Sequence, residues 1–221
     1  MSKLFSRAVI VLLFAFAFTD ASAQPFANEI AAFKKQDSIS FPSAKAILFV
    51  GSSSFRMWKD VQADFPGYTI INRGFGGSAF PDVIRYTNDI ILPYKPKQIL
   101  IYCGENDFAG NDTLSPAQVA QRFIELFTII RNGYKKVPIA YVSMKPSPSR
   151  KHLLVKFEAA NEMIKDYLAT KKRTAYIDVY HAMLQQDGTP MPDIFLDDKL
   201  HMNAKGYAIW QKIIEPYLRK N

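Results

Sequence analysis

One cysteine, Cys103, occurs in 221 residues. No intramolecular disulfide is available, and stability must come from core packing. Past Ala23 the chain also lacks any apolar run approaching the roughly 20 residues of a membrane-spanning helix, so the mature protein is expected to be soluble. Internal repeats, low-complexity tracts and composition shifts are missing as well, and with them any sign of a second domain. Histidine is scarce, with three residues: His152, His181 and His201. What the chain has in quantity is core material, 48% hydrophobic and 14% aromatic residues, enough for one well-filled core and short for two.

The first residues hold a separate message. Lys3 and Arg7 precede an apolar run from Ala8 to Phe18, and Ala21-Ser22-Ala23 forms a small-residue cleavage site. This pattern predicts a secretory signal peptide over residues 1–23, removed to leave one domain over residues 24–221 in a periplasm or the medium. The apolar run is too short for an anchor, and no cysteine adjoins the cleavage site to carry a lipid. The whole chain has 28 basic and 20 acidic residues, net +8; loss of the leader leaves 26 and 19, net +7. Such a balance favours anionic surfaces or substrates in some proteins. Here the basic residues are scattered, which fits solubility and argues against a nucleic-acid partner.

Five short apolar runs read as buried strands: Ala46 to Val50, Tyr68 to Asn72, Gln98 to Cys103, Pro138 to Ser143 and Thr174 to Tyr180. They are continuous rather than alternating, as in strands covered on both faces. Helical patterns lie between most of them. The clearest starts at Ser115-Pro116-Ala117-Gln118, a capping box with proline at the first helical position, and runs to a stop at Asn132-Gly133. Others cover about His152 to Thr170 and Asn203 to Leu218. This alternation predicts a three-layer α/β/α sandwich around a five-stranded parallel sheet, flavodoxin-like. Ligands of such sheets bind outside the carboxyl ends of the strands. The polar segments fall there: "GSSS" after the first run, "RGFGGS" after the second, "GENDF" after the third and "MKPSPSR" after the fourth.

A serine hydroxyl needs a base, a group to orient that base, and donors for the oxyanion it creates. Asp198 stands three residues before His201, so one short segment can carry base and orienting carboxylate together. Taken alone, the pair reads equally well as a helix-entry turn. Gly74, Gly76 and Gly77 let backbone amides approach a ligand, and Asn106 adds an uncharged amide donor. The nucleophile elbow Gly-x-Ser-x-Gly of α/β-hydrolases is missing, because Phe55 holds the second glycine position. No Gly-x-Gly-x-x-Gly and no phosphate-loop lysine follows the first strand, which argues against a nucleotide site. Asp197, Asp198 and His201 do not by themselves define a metal site, and no cofactor is expected.

In this order the segments resemble the four sequence blocks of the SGNH hydrolase superfamily, the GDSL esterases and lipases: "GSSS" at 51–54, "NRGFGGS" at 72–78, "GEND" at 104–107 and "DKLH" at 198–201. The resemblance implies that Ser53 is the nucleophile, His201 the base and Asp198 its orienting acid. It further implies an oxyanion hole of the Ser53 amide, the Gly77 amide (Gly76 as alternative) and the Asn106 side chain. The chain departs from the family at Ser52, where aspartate is common, and at Ser54, where leucine or isoleucine is common. The function this implies is a serine esterase acting through an acyl-Ser53 intermediate on a small-molecule or carbohydrate ester, with a short acyl or acetyl group. A lysophospholipase or thioesterase of the same fold and a non-catalytic glycan-binding module are the alternatives. Lys145, Ser147 and Arg150 are candidate contacts for an anionic or hydroxylated substrate, with a solvated loop as the plainer reading. Phe55, Met57 and Trp58 read first as core.

Overall fold

The computed structural model describes residues 24–220; the predicted signal peptide, residues 1–23, lies outside the described residues. The strands are β1 (Ile47–Gly51), β2 (Ile70–Gly74), β3 (Gln98–Tyr102), β4 (Ile139–Val142) and β5 (Thr174–Ile177). All pair in parallel, in the order β2-β1-β3-β4-β5, as the alternating pattern predicts. Their register is flush. Gly51 lies opposite Gly74 on one side and Tyr102 on the other, Ile101 faces Tyr141, and Val142 faces Ile177. The carboxyl ends of all five strands therefore reach one edge of the sheet.

Nine α-helices cover it among the described residues: α1 (Ala27–Ile39), α2 (Ser53–Met57), α3 (Val61–Asp64), α4 (Phe80–Arg85), α5 (Thr87–Ile90), α6 (Glu105–Gly110), α7 (Pro116–Gly133), α8 (Leu154–Ala169) and α9 (Ala204–Ile214). Successive strand residues point to opposite faces. Leu48, Val50, Ile99, Ile101, Ile139 and Tyr141 join one apolar layer with α4, α5, α7 and α8. Ile47, Phe49, Leu100, Tyr102, Ala140 and Val142 join the other, beneath α2, α3 and α9. Phe55, Trp58, Phe65, Tyr102 and Trp210 pack ring to ring there, so Phe55 and Trp58 belong to the core.

Local chemistry sets the helix starts. Ser115 Oγ accepts from the Gln118 amide at 3.3 Å and Gln118 Oε1 accepts from the Ser115 amide at 2.8 Å, the reciprocal pair that opens α7. Asn203 Oδ1 accepts from the amides of Lys205 and Gly206 and opens α9 directly behind His201. The helix expected from His152 is preceded by a 3-10 turn over Pro148–Leu153. The fifth strand is shorter than expected: beyond Ile177 the amides of Val179 and Tyr180 turn to the Ser143 hydroxyl, at 3.0 and 3.1 Å. Helix α1 is held down at Asp37, whose carboxylate takes a 2.5 Å bond from Arg73 and a second from the Tyr94 hydroxyl.

The end of β1 is sterically exacting. Gly51 has φ +134°, and a Cβ placed there would lie 1.9 Å from the Tyr102 carbonyl oxygen on the neighbouring strand. Only glycine passes this point with the strand still paired. Gly51→Ala is expected to lose about 3 kcal/mol or more of unfolding free energy, from the strained φ and the clash together. Denaturant melts of the two proteins measure this.

Candidate active site

Ser53 is the first residue of α2, two positions past the last residue of β1. His201 approaches it from the segment leading into α9, 148 residues later, with Nε2 3.1 Å from Ser53 Oγ. On the other side of the ring, Nδ1 lies 2.6 Å from Asp198 Oδ2. The second carboxylate oxygen, Oδ1, accepts from the amides of Leu200 and His201, both at 2.9 Å. One carboxylate thus folds its own turn and holds the ring. Partial burial pushes the Asp198 carboxyl up, but the bonds from the His201 ring and from the two amides outweigh it and hold it down at about 2. An ionised carboxylate only accepts. In the neutral ring the proton therefore belongs on Nδ1, which turns the Nε2 lone pair to the serine hydroxyl.

Beside this line lie the donors. The Asn106 Nδ2 group donates to Ser52 Oγ at 2.7 Å and to the Ser78 carbonyl at 3.0 Å, which joins the end of β1, the glycine turn after β2 and the start of α6. Ser78 Oγ in turn donates to the Gly51 carbonyl at 3.2 Å. The two glycines differ in what they offer. Gly76 is buried and its amide donates to Glu29 Oε2 on α1, at 3.1 Å. Gly77 is exposed and adjoins Asn106: a Cβ there would lie 3.8 Å from Asn106 Nδ2. Of the two, Gly76 has its amide engaged by Glu29, and Gly77 is the exposed glycine beside Asn106.

The loop after β4 departs from expectation. Lys145 and Ser147 are buried, 1% and 0% exposed, so the segment is no solvated loop. Lys145 Nζ points inward to Glu105, at 3.1 and 3.4 Å from its two carboxylate oxygens. Burial pulls the Lys145 ammonium below the usual lysine range, against the opposing pull of Glu105. Arg150 lies at the rim, its side chain 14% exposed; Nη1 donates to Glu105 Oε2 at 3.1 Å and Nη2 to Asn106 Oδ1 at 2.7 Å. The same loop reaches the histidine turn, since the Ser149 amide donates to the Lys199 carbonyl at 3.0 Å.

Every side chain of "GEND" is in use. Asp107, buried, accepts from the Phe80 amide at the start of α4 and from Arg122 on α7, at 3.0 and 2.7 Å. Sequence reasoning singled out Asn106 and passed over Glu105 and Asp107. Their place on either side of Asn106 at a strand end was the available signal. Asn72, the first residue of "NRGFGGS", donates to the Phe55 carbonyl at 2.6 Å and Tyr207 donates to the Ser54 carbonyl at 2.8 Å; both hold α2 in place. A concavity between the α2–α3 segment and α9 is lined by Met57, Trp58, Asp64, Met202, Tyr207 and Gln211; none of Ser53, His201, Asp198 or Asn106 lines it. Among the described residues no group of three or more His, Cys, Asp or Glu side chains is placed to hold a metal ion.

A flavodoxin-like sandwich with a hydroxyl, an imidazole and a carboxylate in line at its carboxyl edge is the arrangement of an ester-bond hydrolase. The sequence profile of the GDSL-like Lipase/Acylhydrolase family matches residues 37–209, and the chain belongs to that family. Solved structures share the fold at low identity. A GDSL-like lipase from Bacteroides thetaiotaomicron is 16% identical with a TM-score of 0.73, over 85% of this chain and 96% of that one. A carbohydrate esterase family 3 protein from Talaromyces cellulolyticus is 16% identical, with a TM-score of 0.61 over 79% and 96%. A variant of an acetyl-xylooligosaccharide esterase from Geobacillus stearmophilus is 15% identical, with a TM-score of 0.61 over 81% and 99%. No curated protein matches the chain in sequence.

The carboxylate has a pH signature. A group whose folded pKa of about 2 lies below the ordinary aspartate value of about 3.9 stabilises the fold fully above the higher value. That contribution is lost as pH falls towards the lower value. The melting temperature of the wild type is therefore expected to exceed that of Asp198→Asn above about pH 4, with the gap closing towards pH 2. Thermal melts across this range measure it.

Proposed function

We propose that the protein is an exported serine esterase in which Ser53 is the nucleophile, His201 the base and Asp198 its orienting acid. The observation that carries this is the unbroken line from Asp198 through His201 to the Ser53 hydroxyl, with contacts of 2.6 and 3.1 Å. His201 Nε2 takes the hydroxyl proton as Ser53 Oγ attacks the ester carbonyl. The oxyanion is received by the amides of Ser53 and Gly77 and by Asn106 Nδ2. In the free enzyme the Asn106 group donates to the neutral Ser52 hydroxyl. A charged oxygen is the stronger acceptor and draws the bond to itself. His201 then returns the proton to the leaving alkoxide, and acyl-Ser53 remains. A water deprotonated by His201 attacks the acyl carbon, and collapse frees the acid and the serine.

For the substrate, a short acyl or acetyl group on a carbohydrate is the reading with most support. The carbohydrate esterase and the acetyl-xylooligosaccharide esterase share the fold, and the predicted leader at residues 1–23 would deliver the enzyme to extracytoplasmic polymers.

With 4-nitrophenyl acetate, Ser53→Ala is expected to lower kcat by about 10⁴-fold or more while the protein still folds. Equal turnover in the two proteins, or acyl labelling at Ser52 or Ser54, would remove Ser53 from the mechanism. Acetate release from acetylated polysaccharides, run beside fatty-acid release from lysophospholipids, decides the substrate. Retained glycan binding with no release from either would favour a binding module.

A further inference from the structure

We infer that Arg150 is a positioning residue for the esterase reaction: it fixes which way the Asn106 amide faces and so keeps its N–H group on the reacting side. The inference rests on the proposed role of Asn106 in receiving the oxyanion.

An asparagine amide has two ends of nearly equal shape and opposite hydrogen-bonding sense. Only its neighbours decide which end goes where. At Asn106 the neighbours are selective. Arg150 is a donor with no acceptor, and its Nη2 lies 2.7 Å from Oδ1. The Ser78 carbonyl is an acceptor with no donor, and lies 3.0 Å from Nδ2. A flipped amide would set N–H against guanidinium and oxygen against oxygen. The third partner, the Ser52 hydroxyl, donates or accepts and so does not discriminate. Arg150 and Ser78 therefore set the polarity of the group between them.

Arg150 is itself held to this task. Its planar fork spans two consecutive residues, with Nη1 on Glu105 and Nη2 on Asn106. Lysine, a single point charge on a flexible stem, has no such fork. Glu105 is fixed from behind by Lys145, buried in the core, so the carboxylate that anchors the guanidinium is itself immobile. The backbone is tied as well: the Arg150 amide donates to the Ser147 carbonyl, and Ser149 to Lys199 in the turn that carries His201. A cation on Oδ1 also polarises the amide and strengthens the N–H bonds at its other end. The same residue thus orients the donor and makes it a better one.

This role differs from direct contact with substrate, and kinetics separates the two. Arg150→Met, Arg150→Lys, Asn106→Ala and the Arg150→Met/Asn106→Ala double variant are compared with wild type on 4-nitrophenyl acetate, with a thermal melt of each. Arg150→Met leaves Glu105 its Lys145 partner and is expected to fold. Its kcat should fall roughly tenfold or more with KM little changed, as for other small misplacements of reacting groups. In the Asn106→Ala background the same substitution should change kcat less than about twofold, because the group it acts through is gone. Arg150→Lys, which keeps the charge without the fork, should also lower kcat in the wild-type background, and it carries the test if Arg150→Met does not fold. An Arg150 effect of full size in the Asn106→Ala background, or one confined to KM, overturns the inference in favour of a substrate contact. Wild-type kcat in Arg150→Met or Arg150→Lys overturns it outright while the esterase reading stands. Wild-type kcat in Asn106→Ala overturns both the inference and the oxyanion role of Asn106.

Discussion

The side-chain amide of Asn106 is the tie on which the site depends, because it bonds across three strand ends at once. Its Nδ2 group reaches Ser52 after β1 and Ser78 after β2, while Asn106 itself follows β3. Such a tie is possible only because the parallel register brings Gly51, Gly74 and Tyr102 to one level, so that the segments beyond them emerge side by side. Backbone groups leaving a sheet edge need new partners. Here polar side chains supply them, and several of those side chains are the ones proposed to act on a substrate. Architecture and chemistry thus draw on a single set of contacts at this edge.

The tie also explains why a serine can stand where related sequences favour aspartate. The Ser52 hydroxyl is buried and meets Asn106 as a neutral acceptor. An aspartate there would place a third carboxylate in a region that already holds Glu105 and Asp107, both buried. With a hydroxyl instead, the negative charge under the site is confined to groups paired with Lys145, Arg150 and Arg122. Burial raises the Asp107 carboxyl above its usual range despite its bonds from Arg122 and Phe80, which indicates how costly a further acid nearby would be.

Much of this was legible in the sequence, and what was not has a common cause. The five strands, the alternation with helices and the capping box at Ser115 depend on neighbours within a few residues, and each sits within two or three positions of its expected place. Strand β5 stops early because Ser143, some 36 residues away in sequence, captures the amides beyond it. Lys145 looked like a solvated loop residue because its partner Glu105 lies 40 residues upstream, and a buried pair reads as two unrelated surface charges until the chain is folded. Helix α1 carries almost no apolar stripe and is secured by Asp37, Arg73 and Tyr94, a long-range link with no local signature. Asp198 and His201 stand out from a chance pair only with the other blocks beside them. Asp178 and His181 form the same four-residue turn, with Nδ1 2.7 Å from the carboxylate, in an exposed position past β5. The turn recurs; the serine opposite the ring is what separates the two.

Placing Asp198 and His201 in one turn has a dynamic consequence. The carboxylate that meets the imidazole also accepts the amides of the backbone that carries it, so the proposed acid and base are tied to each other within one short turn. The contact exposed to thermal motion is the one to Ser53, made across 148 residues of chain. The bond from the Ser149 amide to the Lys199 carbonyl ties the turn that carries His201 to the loop after β4, a second link between that turn and the sheet edge.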